Sequence, residues 1–512
     1  MEVKELERRC CVVEVSEAFS PETRVSCSGV IIDPERGTVI CAGVPFSRFI
    51  TDASPLPAGR GFLSPCSFSE KLRVGVGFSC SRSDDASASP PSSGCAAELL
   101  LLVDCPEFKQ ALRGLSQEPD QWRFYGDQED EELLRLRDLQ FLSWFAVLKV
   151  DAQAEMRKRS GVTPWRSSSD LQKGLPVVAC GSPFGALCSD LFIGTLSGGI
   201  VSNLAGQDNA VILTDARCLP GTEGGGLFAV TGGSTAHLAG LIVSPFGWKA
   251  REWIGLALVC SVHAIFRSVS RAAGAPDPPR LRGSAATAPG SEAEYPTVCL
   301  VDSGPFWGTG VLVTSQTVVT CRHVVDGKPT VTLTFHIGDR VHVLVGDVLF
   351  STRASSPFDL ALVRPRGSVA DAAAPRLARS FNPGDSVLAV GYGGSGRGSG
   401  PSLTCGILSK AICLNGQPVM LQTTCAVHAG SSGGAVVRRR SGELLGIVSS
   451  NTRDFATEVT YPHLNFIIPV TVFQGLLQRF HQTNDIGVFT ALDTTEQEVR
   501  RVWRLQGVQS KM

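Results

Sequence analysis

Residues 405–437, CGILSKAICLNGQPVMLQTTCAVHAGSSGGAVV, and residues 193–228, IGTLSGGIVSNLAGQDNAVILTDARCLPGTEGGGLF, follow one plan. In each, alternating apolar runs flank a short turn, and a glycine-rich loop precedes the next apolar strand. The match marks a duplicated unit, and it extends outward in both directions. Upstream, GTGVLVTSQTVVTCRHVV (308–325) answers GVIIDPERGTVICAGVPF (29–46), and GDSVLAVGYGG (384–394) answers GLPVVACGSPFG (174–185). Downstream, LLGIVSS (444–450) answers LAGLIVS (238–244). Short strands, frequent turn residues and few helical periods predict an all-β chain built from two tandem units, each a pair of antiparallel barrels.

A length of 512 residues accommodates at least two cores. Two stretches interrupt the strand pattern. SCSRSDDASASPPSSG (79–94) reads as a flexible loop inside the first unit, and AAGAPDPPRLRGSAATAPGSEAEYP (272–296) as the linker between units. The expected domains are therefore 1–271, the linker 272–296, a second unit 297–480 and a C-terminal segment 481–512. In that segment Thr495 and Glu498 form a capping-box pattern and Val499, Val502 and Leu505 share a helical face, which predicts a short helix over 495–506.

Composition narrows the chemistry. A net charge of -1, with no basic stripe, makes nucleic acid a poor partner, and Arg438, Arg439 and Arg440 read as a solvated hairpin tip. The opening MEVKELERRC lacks a signal-peptide core, and no apolar run has membrane-spanning length, Leu99 to Val103 being strand-sized, so no membrane role is expected. Seventeen cysteines, an odd number without CxxC pairs, argue against a zinc site or a disulfide framework and for reduced thiols in a reducing compartment. No metal and no other cofactor is expected.

Acyl transfer by serine needs a hydroxyl, a base beside it and donors aimed at the oxyanion. AVHAGSSGGAVV supplies the first and last. Gly430, Gly433 and Gly434 permit a tight turn that would aim the N–H groups of Gly430 and Ser432 into one hole, with Ser432 rather than Ser431 in nucleophile register. A glycine-serine loop alone is more often a plain turn, a lone histidine more often a packed or surface residue, and a lone aspartate before a strand more often a turn residue. Here His323, in TVVTCRHVV, and Asp359, in PFDLALV, each stand at a strand edge, and the order His, Asp, Ser is one known triad order. Ser432 is then nucleophile, His323 base and Asp359 the group that orients the histidine.

Through TCRHVV, FDLALV, AGSSGGAVV, LLGIVSSN and NFIIPV, residues 297 to about 472 resemble the HtrA/Deg branch of chymotrypsin-fold serine proteases. The resemblance implies two chymotrypsin-like double β-barrel units in tandem, the first degenerate, the same triad, and Gly430 with Ser432 as oxyanion donors. Too few residues follow NFIIPV for the PDZ domain that usually comes next. In this fold the residue six before the nucleophile lies at the base of the specificity pocket; here it is Ala426, with no acid to hold a basic side chain. Thr424, Cys425 and His428 line the same approach, which favours a small, weakly polar residue before the scissile bond, and His428 with Cys425 read as pocket wall rather than metal ligands.

Laid on the second unit, the first puts Val44 near the histidine position, Trp144 near the aspartate position and Glu223 at that of the nucleophile. A lone carboxylate without base or orienting partner predicts an inactive barrel pair. The last three residues, Ser510, Lys511 and Met512, are close to the Ser-Lys-Leu peroxisomal address. With that ending, the whole chain is similar to animal peroxisomal trypsin-domain proteases. The similarity implies leader-peptide removal from imported matrix enzymes, processing of matrix enzymes of fatty-acid oxidation, cleavage after cysteine, and self-cleavage. Cys95–Ala96, beside the 79–94 loop, is the candidate for the last. Expected partners are peroxisomal matrix enzymes, an import receptor that reads the C-terminal tripeptide, and a second copy of the chain. Rival readings are a peptide-binding chaperone or scaffold, and a general intracellular HtrA-like degradative protease.

Overall fold

The computed structural model describes the chain apart from residues 19, 52–60, 79–94, 116–121, 124–139, 152–155, 157–160, 188, 233–234, 250–251, 279–294, 339, 370–371, 373, 394–399, 455–458, 495, 504–508 and 511–512. The 79–94 loop thus lies outside the described residues. Two compact units result, the first of Met1–Pro119, Arg123–Gly247 and Leu256–Ser291, the second of Asp120–Trp122, Trp248–Gly255 and Glu292–Met512. The break at Ser291 falls within the stretch 272–296.

The first unit holds two barrels. β1 (Cys10–Glu17), β2 (Ser20–Asp33), β3 (Thr38–Ala42), β4 (Leu72–Phe78), β5 (Cys95–Asp104) and β6 (Trp144–Val150) close the first. β7 (Pro176–Gly181), β8 (Thr195–Ala205), β9 (Val211–Thr214), β10 (Gly226–Thr231), β11 (Thr235–Lys249) and β12 (Glu252–Ser261) close the second. In the second unit, one barrel is β13 (Val298–Asp302), β14 (Trp307–Thr314), β15 (Thr317–Thr320), β16 (Thr330–Ile337), β17 (Arg340–Ser351) and β18 (Ala361–Pro365). The other is β19 (Ser386–Gly391), β20 (Ser402–Leu414), β21 (Gln417–Thr423), β22 (Ala435–Arg438), β23 (Leu444–Asp454) and β24 (Val459–Pro469).

All four rings run in one antiparallel order: first strand, second, third, sixth, fifth, fourth, and back to the first. The predicted all-β, chymotrypsin-like double-barrel architecture is therefore present twice. Alternation does the packing: along β16 the inward Val331, Leu333 and Phe335 are buried with Val301, Val318 and Val363, while the intervening threonines face outward or stay half-buried.

Helix is more frequent than the sequence suggested. Besides Gln497–Trp503, which matches the core of the expected terminal helix, helices cover Pro106–Leu115, Val262–Ala272 and Gln474–Thr483. Val262–Ala272 follows β12 directly and Gln474–Thr483 closely follows β24, so their apolar residues read as continuations of strand runs. Within Gln497–Trp503, Val499 and Trp503 are buried and Val502 is half-buried, whereas Thr495 and Leu505 lie outside the described residues. No described helix is long and apolar enough to cross a membrane, and no disulfide joins the described cysteines.

Candidate active site

β15 ends at Thr320, and one helical turn, Arg322–Val325, carries His323. Asp359 stands just before β18, whose Ala361 pairs with Thr320, so antiparallel register alone sets the aspartate beside the histidine. The Asp359 carboxylate, 2% exposed, accepts the His323 backbone N–H at 3.1 Å through Oδ1 and meets His323 Nδ1 at 2.6 Å through Oδ2. Nδ1 is thereby the protonated nitrogen, and Nε2 the acceptor. His323 Nε2 is buried and has no hydrogen-bond partner among the described residues.

Ser432 reaches the same region on the loop before β22. Gly433 donates to the Val448 carbonyl, and the thiol of Cys321, two residues before the histidine, donates to that same carbonyl at 3.2 Å. Gly433 has φ of +83°, and a Cβ there would stand 1.9 Å from the Thr309 carbonyl oxygen, so only glycine fits. Gly430 has φ of +87° and lies against the Trp307 ring. Ser432 is 1% exposed; its hydroxyl is directed to the Ser449 carbonyl, at 3.5 Å, rather than to His323. The described contacts thus join Asp359 to His323 and leave the serine-histidine bond unmade, a link that often tightens only with substrate present.

Ala426 is buried and lines a small pocket shared with His428, Ser431, Gly393, Thr404 and Val448, and none of its lining residues is acidic. Thr404 Oγ1 donates to the Ala426 carbonyl, and Thr424 Oγ1 accepts from Ile407 N–H, at 2.8 and 3.0 Å. Asn465, in the NFIIPV run but not singled out there, is fully buried; its Nδ2 donates to the Cys425 carbonyl at 2.7 Å while Thr423 Oγ1 bonds its Oδ1. It braces the segment that carries Thr424 to Ala426. Cys321, His323 and Asp359 bring ligand-type atoms within 4.8 Å of one another, the one such group of three among the described residues. The imidazole–carboxylate contact and the thiol's bond to Val448 already engage those atoms.

In the first unit the corresponding loop has the same shape and different chemistry. Gly221 and Gly224 have φ of +90° and +84°. Cys41 pairs with Ala146 as Thr320 pairs with Ala361, which puts Trp144 at the aspartate position and Val44 at that of the histidine. Glu223 bends back so that Oε2 accepts the Gly221 N–H at 2.7 Å. Burial pushes its carboxyl above the ordinary value, against hydrogen bonds from the Glu223 and Gly221 N–H groups that pull it down. The side chain at the nucleophile position therefore fills the place an oxyanion would take.

Two further candidates have definite settings. Cys95 and Ala96 are not in a loop: they open β5, paired with Val76 and Gly75. Their bond is part of a ladder, which opposes entry into a protease cleft unless the strand end opens. Ser510 belongs to a two-residue strand, Gln509–Ser510, whose backbone pairs with Thr452 and Asn451, and Lys511 and Met512 lie outside the described residues.

Residues 308–447 match the trypsin-like peptidase domain, a span that includes His323, Asp359 and Ser432. The chain is 39% identical over 551 aligned positions to the mouse peroxisomal leader peptide-processing protease, covering 98% of this chain and 96% of that one. With the human protein of that name it is 40% identical over 552 positions, at the same coverages. Among solved structures it is similar to the serine endoprotease from Yersinia pestis, with 23% identity, a TM-score of 0.30, and coverage of 38% of this chain and 65% of that one. Near 40% identity along almost the entire length of both relatives, the chain belongs to the peroxisomal leader peptide-processing protease family and is a peroxisomal serine endopeptidase.

Proposed function

We propose that Ser432, His323 and Asp359 perform the peptide hydrolysis and that Gly430 and Ser432 N–H groups form the oxyanion hole. The observation that carries this reading is the buried Asp359 carboxylate, which takes both the backbone N–H and Nδ1–H of His323 and so presents Nε2 as base. When substrate binds, the Ser432 hydroxyl turns from the Ser449 carbonyl to Nε2. Its oxygen bonds to the scissile carbonyl carbon as its proton passes to Nε2, and the oxyanion accepts from Gly430 and Ser432 N–H. The C–N bond then breaks as His323 returns the proton to the leaving amine. Water, deprotonated in turn by Nε2, releases the acyl group and restores Ser432.

Ala426, Thr424 and His428 form the wall that receives the side chain before the scissile bond. Without an acid there, small, weakly polar residues such as cysteine are favoured over lysine or arginine. The relatives are named for leader-peptide processing, which supports leader peptides of imported matrix enzymes as substrates; matrix proteins of fatty-acid oxidation are proposed on the family resemblance alone. The Ser510-Lys511-Met512 ending supports delivery by an import receptor. Self-cleavage at Cys95–Ala96 requires the start of β5 to leave its ladder.

The test is to incubate the chain, and its Ser432→Ala variant, with peroxisomal matrix proteins and to sequence the new N termini. The expected outcome is new ends following cysteine within leader segments, and at Ala96 of the chain itself, with the active form only. Equal products from both forms would remove Ser432 from the reaction, and ends following lysine or arginine would overturn the pocket assignment.

A further inference from the structure

Thr309, on β14 and fully buried, makes more bonds to the nucleophile loop than packing requires. Its backbone N–H donates to the Ser432 carbonyl at 2.8 Å. Its Oγ1 donates to the Gly430 carbonyl at 2.7 Å and accepts the Tyr392 N–H at 2.9 Å. One residue thus holds, by their carbonyls, both residues whose N–H groups form the proposed oxyanion hole. The Ser431 N–H, bonded to the His428 carbonyl, fixes the other side of the Gly430–Ser431 peptide. Thr320 Oγ1 in turn donates to the Thr309 carbonyl at 2.6 Å, linking the clamp to the strand that delivers His323.

The first unit repeats this arrangement around Ser28. Its N–H donates to the Glu223 carbonyl at 2.8 Å, its Oγ donates to the Gly221 carbonyl at 2.7 Å, and Ser182 N–H donates to that Oγ at 2.8 Å. Histidine, aspartate and serine have all been replaced there, yet the three bonds remain and the loop glycines keep the same φ. The hydroxyl therefore specifies the loop's shape independently of the triad, and a serine hydroxyl suffices.

We infer that Thr309 is a positioning residue for the oxyanion hole, acting through a hydroxyl relay from Tyr392 N–H to the Gly430 carbonyl. This rests on Ser432 being the nucleophile. Without the hydroxyl, the Gly430 carbonyl and the Tyr392 N–H lose their partner in a buried place, and only the Ser431 N–H bond to the His428 carbonyl still holds the Gly430–Ser431 peptide. Removing a hole donor outright costs about 100- to 1000-fold in kcat, so a displaced donor should cost about 10- to 100-fold.

The experiment compares the full-length chain with Thr309→Val, Thr309→Ser and Ser432→Ala on a fluorogenic peptide, with concentrations set by active-site titration and thermal midpoints recorded. The inference expects Thr309→Val to lose about 10- to 100-fold in kcat with KM little changed, and to weaken a peptide aldehyde inhibitor in parallel. Thr309→Ser should recover to within about twofold, since Ser28 makes the same bonds in the other unit. If Thr309→Val lowers only the thermal midpoint while kcat per titrated site is unchanged, Thr309 is structural and the inference is overturned. Should that variant not fold, Thr309→Cys, a weaker donor, replaces it: reduced kcat supports the relay and unchanged kcat overturns it. Residual activity in Ser432→Ala would instead defeat the assignment of the nucleophile.

Discussion

Glu223 shows how a single side chain can close a site. Its carboxylate takes the Gly221 N–H that a reacting carbonyl would need, and burial raises its pKa in the folded chain, although it keeps a solvent-facing edge that moderates the effect. The consequence for stability has a definite sign. With the folded value above the unfolded one, the folded state holds the proton more tightly between them, so stability falls as pH rises from the ordinary carboxyl range through the folded value. Glu223→Gln keeps an acceptor for Gly221 and removes the charge. Chemical denaturation of the full chain across that window should show the first unit losing stability with pH in wild type and holding level in Glu223→Gln. A steeper fall in the variant would contradict the assigned direction.

At the scale of elements, the loops around the triad depend on what backs them. The segment after β24 supports the aspartate loop: Ser356 Oγ donates to the Leu492 carbonyl, Arg353 N–H to Asp493 Oδ1, and Trp503 meets Phe358, next to Asp359, edge-on with ring centroids 6.1 Å apart. Trp503 Nε1 also donates to the Val419 carbonyl at 3.0 Å. Trp503→Ala should cost about 3–5 kcal/mol in the unfolding transition that abolishes activity, and should lower kcat as well. Trp503→Phe, which loses chiefly the hydrogen bond, should cost about 1 kcal/mol in the same urea titration. The sequence announced a terminal helix but not which residues it meets, because Phe358 and Trp503 are brought together only by tertiary packing. Ser28 was hidden for a different reason. The turn between β2 and β3 occupies Pro34–Gly37, whereas that between β14 and β15 is Ser315–Gln316 alone. An ungapped match of the repeats fixes Val44 opposite His323 and slides Ser28 away from Thr309. The residues of the proposed triad stand out in the sequence since each sits in its own strand-edge motif, while the clamp is legible only through hydrogen bonds.

Across the whole molecule, one barrel-pair plan appears twice, with ring order and loop-glycine geometry shared. On the proposed assignment, the groups that move protons, His323 and Ser432, belong to the second unit alone. Titration with a fluorophosphonate should therefore modify one serine per chain, Ser432, and none in Ser432→Ala; mass spectrometry that found a second modified residue in the first unit would refute the division. The Glu223 side chain also makes the chain its own control. A compound that enters the oxyanion site has one place to bind in wild type, and Glu223→Gly would clear a second that binds without reacting, so the count of binding sites against the count of labelled serines separates recognition from turnover.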